Sequence, residues 1–296
     1  MKLTRRHFLQ LTSGATIGAM AGGIHAASIT SSTRPWPIGC FNRPWSKWGY
    51  DVTLDGIRAA GYSLTGLLTR SPADLFIGAD ASPDYLAALK GKISAHGLKA
   101  NLGAARSRHD IPVADSIEEM RKQIDNAKFL ELEFILTFGV DKPTHYDHYY
   151  QVMAESAAYA QSRGLKLVLK PHGGGSGAAE EILRCVRKVG HANFKIWYDA
   201  GNIIYYTGKD PLMELEPIVE FVTGFCAKDC DTLKGDVMSQ FGSGKVDFLS
   251  LFKRLKKAGF NGPVMVEGVK VGATAEETTA NAKANREFLE RVLAQV

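Results

Sequence analysis

The sequence predicts a single-domain (β/α)8 barrel of the α/β class. Three observations predict it: eight short β-like apolar runs, longer amphipathic stretches between them, and a glycine-marked helix-to-strand join that recurs four times. The 296 residues suit that architecture, which commonly takes about 250. The runs lie near Ile38 to Phe41, Ser63 to Leu68, Lys99 to Leu102, Phe134 to Thr137, Lys166 to Leu169, Lys195 to Tyr198, Val222 to Cys226 and Val264 to Val266. Between them, Ile117 to Leu130 places Ile117, Met120, Ile124, Ala127 and Leu130 on one helical face, and Phe248 to Ala258 repeats the pattern. The joins are Ala60-Gly61-Tyr62, His96-Gly97-Leu98, Arg163-Gly164-Leu165 and Ala258-Gly259-Phe260, as expected of left-handed caps that end a helix before a strand. No Gly-x-Gly-x-x-Gly follows the first run, which argues against an open dinucleotide-binding sheet.

Three segments follow: 1–27, a signal; 28–35, a Ser/Thr-rich linker; and 36–296, the barrel. In the first, Thr4-Arg5-Arg6-His7-Phe8-Leu9-Gln10 precedes a mildly apolar, Gly- and Ala-rich run from Leu11 to Ala27. This resembles a twin-arginine signal peptide, which implies the twin-arginine export machinery as a partner and a periplasmic or otherwise exported location. The run is too short and weak for a spanning helix, so no stable membrane insertion is expected after cleavage near Ala26 or Ala27.

Apolar residues at 45% and charged residues at 23% are ordinary globular usage, so a core can form without staples. Lys2, Arg5 and Arg6 account for three of the five net positive charges; the remaining +2 is too weak to suggest nucleic acid. The four scattered cysteines, Cys40, Cys185, Cys226 and Cys230, are expected as buried free thiols. Cys185 and Trp197 read as core.

In such barrels chemistry gathers where strands end. Here the fifth run is followed by Lys170-Pro171-His172 and a Gly-Gly-Gly-Ser-Gly stretch over Gly173 to Gly177. The sixth is followed by Asp199-Ala200-Gly201-Asn202, the seventh ends Cys226-Ala227-Lys228-Asp229, and the eighth is followed by Glu267-Gly268. Tyr198-Asp199-x-Gly201-Asn202, Lys228-Asp229 and Val266-Glu267 resemble the xylose-isomerase-like barrels, a family of sugar and sugar phosphate isomerases and epimerases, from Pro37 to Val296.

That resemblance implies a divalent metal held by Glu, Asp, His and Glu after strands five to eight. Asp199 and Glu267 match; Lys170 stands in the first Glu position and Cys226 in the His position. His172 is the candidate replacement, giving His172, Asp199 and Glu267, with Cys226 as a further donor, as a reduced site for Mn, Co, Fe or Zn. The alternative for His172 is a histidine that bonds backbone or substrate.

The implied activity is proton transfer beside a carbonyl of a sugar or keto-sugar, with Lys170, Lys228 and Glu267 as catalytic candidates. For Lys228 and Asp229 the bland alternative is a structural ion pair. Asn202, Asp229, Arg106, His109 and Trp45 are candidate substrate contacts, and Arg43, Arg70, Arg108 and Gln240 are candidates at the rim. The glycine stretch offers N–H groups to an anion or hydroxyl. A keto-glycoside lyase or hydratase, and a non-catalytic sugar-binding barrel, are the alternatives. Phosphodiester cleavage would need a histidine-rich metal cluster and a basic groove, which the sequence lacks.

Overall fold

Short, mostly apolar runs of three to six residues set the strands, and all eight join in a closed parallel barrel in chain order. The computed structural model describes residues 36–296; the signal and linker readings lie outside the described residues. The strands are β1 (Ile38–Phe41), β2 (Leu64–Leu67), β3 (Lys99–Ala104), β4 (Phe134–Thr137), β5 (Lys166–Leu169), β6 (Phe194–Asp199), β7 (Val222–Ala227) and β8 (Val264–Val266). Pairing of Ile38 with Val264 closes the ring between β1 and β8. Each lies within two residues of its expected bounds.

Around them run α1 (Tyr50–Ala59), α2 (Pro83–Ala95), α3 (Val113–Phe129), α4 (Tyr146–Ser162), α5 (Ala179–Val189), α6 (Ala200–Thr207), α7 (Pro211–Leu215), α8 (Phe248–Lys257) and α9 (Ala275–Leu293). The helix expected from Ile117 begins at Val113, since Pro112 stands at its N-cap and Asp115 favours the first turn. All four join glycines are left-handed: φ is 88° at Gly61, 67° at Gly97, 75° at Gly164 and 82° at Gly259. Among the described residues no helix is long and apolar enough to cross a membrane.

Two apolar layers result. The larger lies between sheet and helices and includes Cys185. The smaller fills the barrel with Phe41, Leu102, Phe134, Leu136, Val168, Trp197, Cys226 and Met265. Bulk on one strand is matched by absence of bulk on the next: a Cβ on Gly224 would stand 2.1 Å from the Trp197 ring, and one on Gly66 2.4 Å from Phe41. The barrel is therefore plugged below its mouth, and polar side chains leaving the strands' C-terminal ends rest on that plug. The four cysteines are buried and free.

Candidate active site

Four side chains that the sequence places at successive strand ends meet on the barrel axis. Lys170 follows β5, Asp199 ends β6, Lys228 follows β7 and Glu267 follows β8, and none is more than 1% exposed. The Lys170 ammonium bonds Glu267 Oε2 and lies 3.2 Å from Asp199 Oδ2. The Lys228 ammonium lies 2.8 Å from Glu267 Oε1 and 3.2 Å from the same Asp199 oxygen. Asp199 Oδ2 makes no well-directed hydrogen bond, so its two lysine approaches are charge contacts. Arg43, in a short turn after β1, joins through an ion pair with Glu267 Oε1; its side chain, 35% exposed, carries the cluster to solvent.

Local structure explains the motif. Asp199 caps α6, with Oδ1 accepting from the Asn202 N–H at 2.9 Å. Asn202 donates to the Pro171 carbonyl at 2.7 Å and accepts from Lys228 Nζ at 2.9 Å, so it ties the β5 loop to the β7 lysine. Position 201 is glycine because a Cβ there would come within 2.8 Å of the Lys228 carbonyl.

The electrostatics follow from burial against pairing. Burial raises the carboxyl's pKa, but Lys170, Lys228 and Arg43 outweigh it and hold Glu267 well below the usual carboxylate range. Burial lowers that of the Lys170 ammonium, and the Glu267 and Asp199 carboxylates outweigh it and raise it above its ordinary value. Burial pushes the Cys226 thiol well up, with the carboxylates adding to the effect, so it remains a thiol donating to Glu267 Oε2 at 3.0 Å.

The metal expectation meets a difficulty here. Asp199, Cys226 and Glu267 each offer a ligand atom, all within 4.8 Å of one another. The same carboxylate oxygens already face two ammonium groups, and the third donor is a protonated thiol. A dication at that point would stand against both lysines, so the residues present do not fit it. His172 is not in the donor group; its ring lies against Tyr206, whose hydroxyl is 3.1 Å from Nε2. The triad His172, Asp199 and Glu267 is therefore not assembled. His172 stands three residues past β5, where loop geometry rather than strand alternation sets its direction.

Three further expectations change. Trp45 is fully buried, with its indole N–H on Thr279 Oγ1 at 3.2 Å and its ring beside Gly56, so it offers no stacking face. Asp229 is not paired with Lys228. Its Oδ2 accepts from the N–H of Gly242 and Gly244 at 2.9 and 3.0 Å, and its Oδ1 from Cys230 and Val246 at 2.9 and 3.2 Å. It clasps a loop and has no acceptor capacity left for a ligand. Three of the glycine stretch's five N–H groups are already bound within the protein: Gly175 on Val140, Ser176 on Gly173 and Gly177 on Gly174.

At the rim, Arg106 is exposed, with only its backbone bound, to the Gln123 side chain. His109 is exposed and stacks on His145 at 3.9 Å. Arg70 pairs with Asp80, Arg108 with Asp110 and Glu119, and Gln240 bonds Asn285. Tyr206, Phe138 and His145 escaped the sequence reading: Phe138 and His145 lie between β4 and α4, where no period marks them, and Tyr206 falls in the last turn of the short α6, away from any strand end. Arg43 appeared there only as a rim donor; Pro44 beside it, fixing the turn, was the available clue.

A parallel eight-stranded barrel with its charged cluster at the C-terminal ends is the form of a barrel enzyme site. Residues 54–292 match the family model described as xylose isomerase-like TIM barrel, and the chain belongs to that family. No protein of curated function matches it by sequence. Among solved structures it is similar to a xylose isomerase-like TIM barrel protein from Mycobacterium smegmatis in complex with magnesium (16% identity, 88% of this chain and 98% of the other, TM-score 0.71). It is similar to D-psicose 3-epimerase with D-tagatose from Clostridium cellulolyticum H10 (15%, 87% and 99%, 0.70). A third is the probable 3-DHS dehydratase of Bacillus anthracis (12%, 86% and 98%, 0.67). At these identities the likeness is one of fold.

Proposed function

We propose that this chain catalyses proton transfer beside the carbonyl of a sugar or keto-sugar, with the Lys170 and Lys228 ammonium groups supplying the positive charge that the family resemblance assigns to a divalent metal. The observation that carries this reading is that both ammonium groups, fully buried, face the same two carboxylates.

The substrate carbonyl oxygen accepts from Lys228 and Lys170. Glu267 removes the proton from the adjacent carbon, and the electron pair of that C–H bond moves onto the carbonyl oxygen as an enolate. The ammonium groups neutralise that charge in a site from which water is excluded, where fixed charges act most strongly. As they turn toward the enolate their hold on Glu267 loosens, and its basicity rises while the proton arrives. For isomerisation, Glu267 returns the proton to the former carbonyl carbon while the hydroxyl proton of the other carbon passes to the enolate oxygen, which moves the carbonyl; for epimerisation, the enolate turns over before Glu267 returns the proton to its other face. The same enolate can expel a substituent on the next carbon, so lyase or hydratase chemistry on keto-glycosides uses the same groups. Lys170 acts as a charge and not as an imine-forming amine, since its pKa is raised and a nucleophilic amine needs it lowered. Arg43 must leave Glu267 before substrate reaches it.

The test is solvent deuterium incorporation into a panel of ketoses and keto-sugars. Exchange by the native chain, lost in Lys170→Ala and Lys228→Ala, is expected; full exchange by both variants would sink the reading. Binding without any exchange would leave a sugar-binding barrel.

We infer also that residues 1–27 send the folded chain through the twin-arginine machinery to the periplasm or beyond, supported by Arg5-Arg6 with Phe8-Leu9 and the weakly apolar run behind them. Replacing both arginines with lysine should retain the protein in the cytoplasm on fractionation; undiminished export would count against it.

A further inference from the structure

Beside the charged cluster, on the same face, a hollow of about 260 Å³ is lined by Ser107 and His109 after β3, Phe138, Lys142 and His145 after β4, and His172 after β5, with Gly139, Val140 and Asp141 between. It borders the cluster directly. The Phe138 ring lies 5.6 Å from Lys170 Nζ and packs edge-on against His172 at 5.3 Å between centroids. Two aromatic rings stand in the lining, His109 and His145, stacked at 3.9 Å between centroids and 29° between planes. His148 holds the Arg108 carbonyl at 2.9 Å, which fixes the loop bearing His109. The remaining lining is hydrogen-bonding: a hydroxyl, imidazole nitrogens, an ammonium and a carboxylate.

The volume is informative. Pockets for whole drug-sized ligands run from about 300 to 1,000 Å³, so this hollow is of a size for one ring and not for a complete two-ring ligand. Flat faces take the apolar side of a ring while the polar edge meets its hydroxyls. None of these groups takes part in the proton transfer described above.

We propose that this hollow is a second subsite, which binds a hydroxyl-bearing ring attached to the reacting sugar, so that the substrate is a glycoside-like compound of two rings. The inference rests on the reading of the neighbouring cluster as the site of sugar chemistry. Either a second sugar or a phenolic aglycone has the required chemistry.

Calorimetric binding of keto-monosaccharides, the matching keto-disaccharides and keto-aryl glycosides to the full chain tests it without depending on turnover. The two-ring compounds should bind tighter than the monosaccharide. His145→Ala and His109→Ala, both outside the core, should each cut that advantage by roughly three- to tenfold, the loss expected for a stacking face. Advantage confined to disaccharides names a second sugar, and advantage confined to aryl glycosides names an aglycone. Equal binding of one- and two-ring compounds, or variants that weaken both classes alike, would overturn the subsite. Deuterium exchange on the same compounds is scored apart, so a subsite without chemistry and chemistry without a subsite give different results.

Discussion

The two halves of the barrel's mouth use charge in opposite ways. After β2 and β3, Arg70 and Arg108 lie outward and pair at the surface, Arg70 with Asp80 and Arg108 with Asp110 and Glu119. After β5 to β8, Lys170, Asp199, Lys228 and Glu267 turn inward and share charges with almost no exposure. Exposed pairs are worth about 0 to 1 kcal/mol each, whereas removing one partner of a buried set costs roughly 3–5 kcal/mol. Only the inner set therefore commits free energy to holding charge on the axis. Such an arrangement costs stability unless it serves a ligand or a reaction.

The comparison is tested most severely at Glu267. Glu267→Ala leaves two ammonium groups and Arg43 without their shared partner, and should lower stability in urea titration by about 3–5 kcal/mol while abolishing deuterium exchange. The double variant Lys170→Met/Glu267→Met should be more stable than Glu267→Ala alone; equal or greater loss would mean that the cluster's charges are not coupled.

The loop clasp should rank next. Asp229→Ala strips four backbone N–H groups of their acceptor and should cost about 1–3 kcal/mol, with faster amide exchange at Gly242, Gly244 and Val246. No change at those amides would refute the clasp.

Acid should act mainly through the inner set. Glu267 has a folded pKa below its unfolded value of about 4.3, so its stabilisation is complete above that pH and is lost as pH falls toward the folded value. Lys170 has the opposite sign: its pKa is raised, so its contribution is full below about 10.4 and is lost only as pH rises through the folded value. Thermal melts from pH 7 to 3 should fall less steeply in Glu267→Gln than in the native chain. Equal slopes would place the acid-sensitive groups elsewhere. Smallest of all, Arg108→Ala should change stability by no more than about 0.5 kcal/mol; a larger loss would erase the contrast between the halves.

How much the sequence disclosed divides along the same line. The strands and the four glycine joins are local signals, so their positions follow from short apolar runs and from left-handed caps. The four axial residues were legible because they stand at strand ends, where alternation fixes which side faces inward. Trp45, Asp229 and His172 were misread because each sits in a turn or loop, where direction depends on partners distant in the chain: Thr279, the Gly242 to Val246 loop, and Tyr206. The lysine at position 170 was visible at once as a departure from the family pattern. That it pairs with Glu267 while still facing Asp199 needed the closed barrel.

The central claim is that ammonium groups supply the charge that the family resemblance assigns to a metal, and elemental analysis tests it most directly. The purified chain would be equilibrated with Mn, Fe, Co and Zn, dialysed, and measured beside a Lys170→Glu/Cys226→His variant that restores the donor types the family resemblance implies. The account predicts metal well below stoichiometric in the native chain and a gain in the variant; a full equivalent in the native chain, lost in Asp199→Ala, would contradict it.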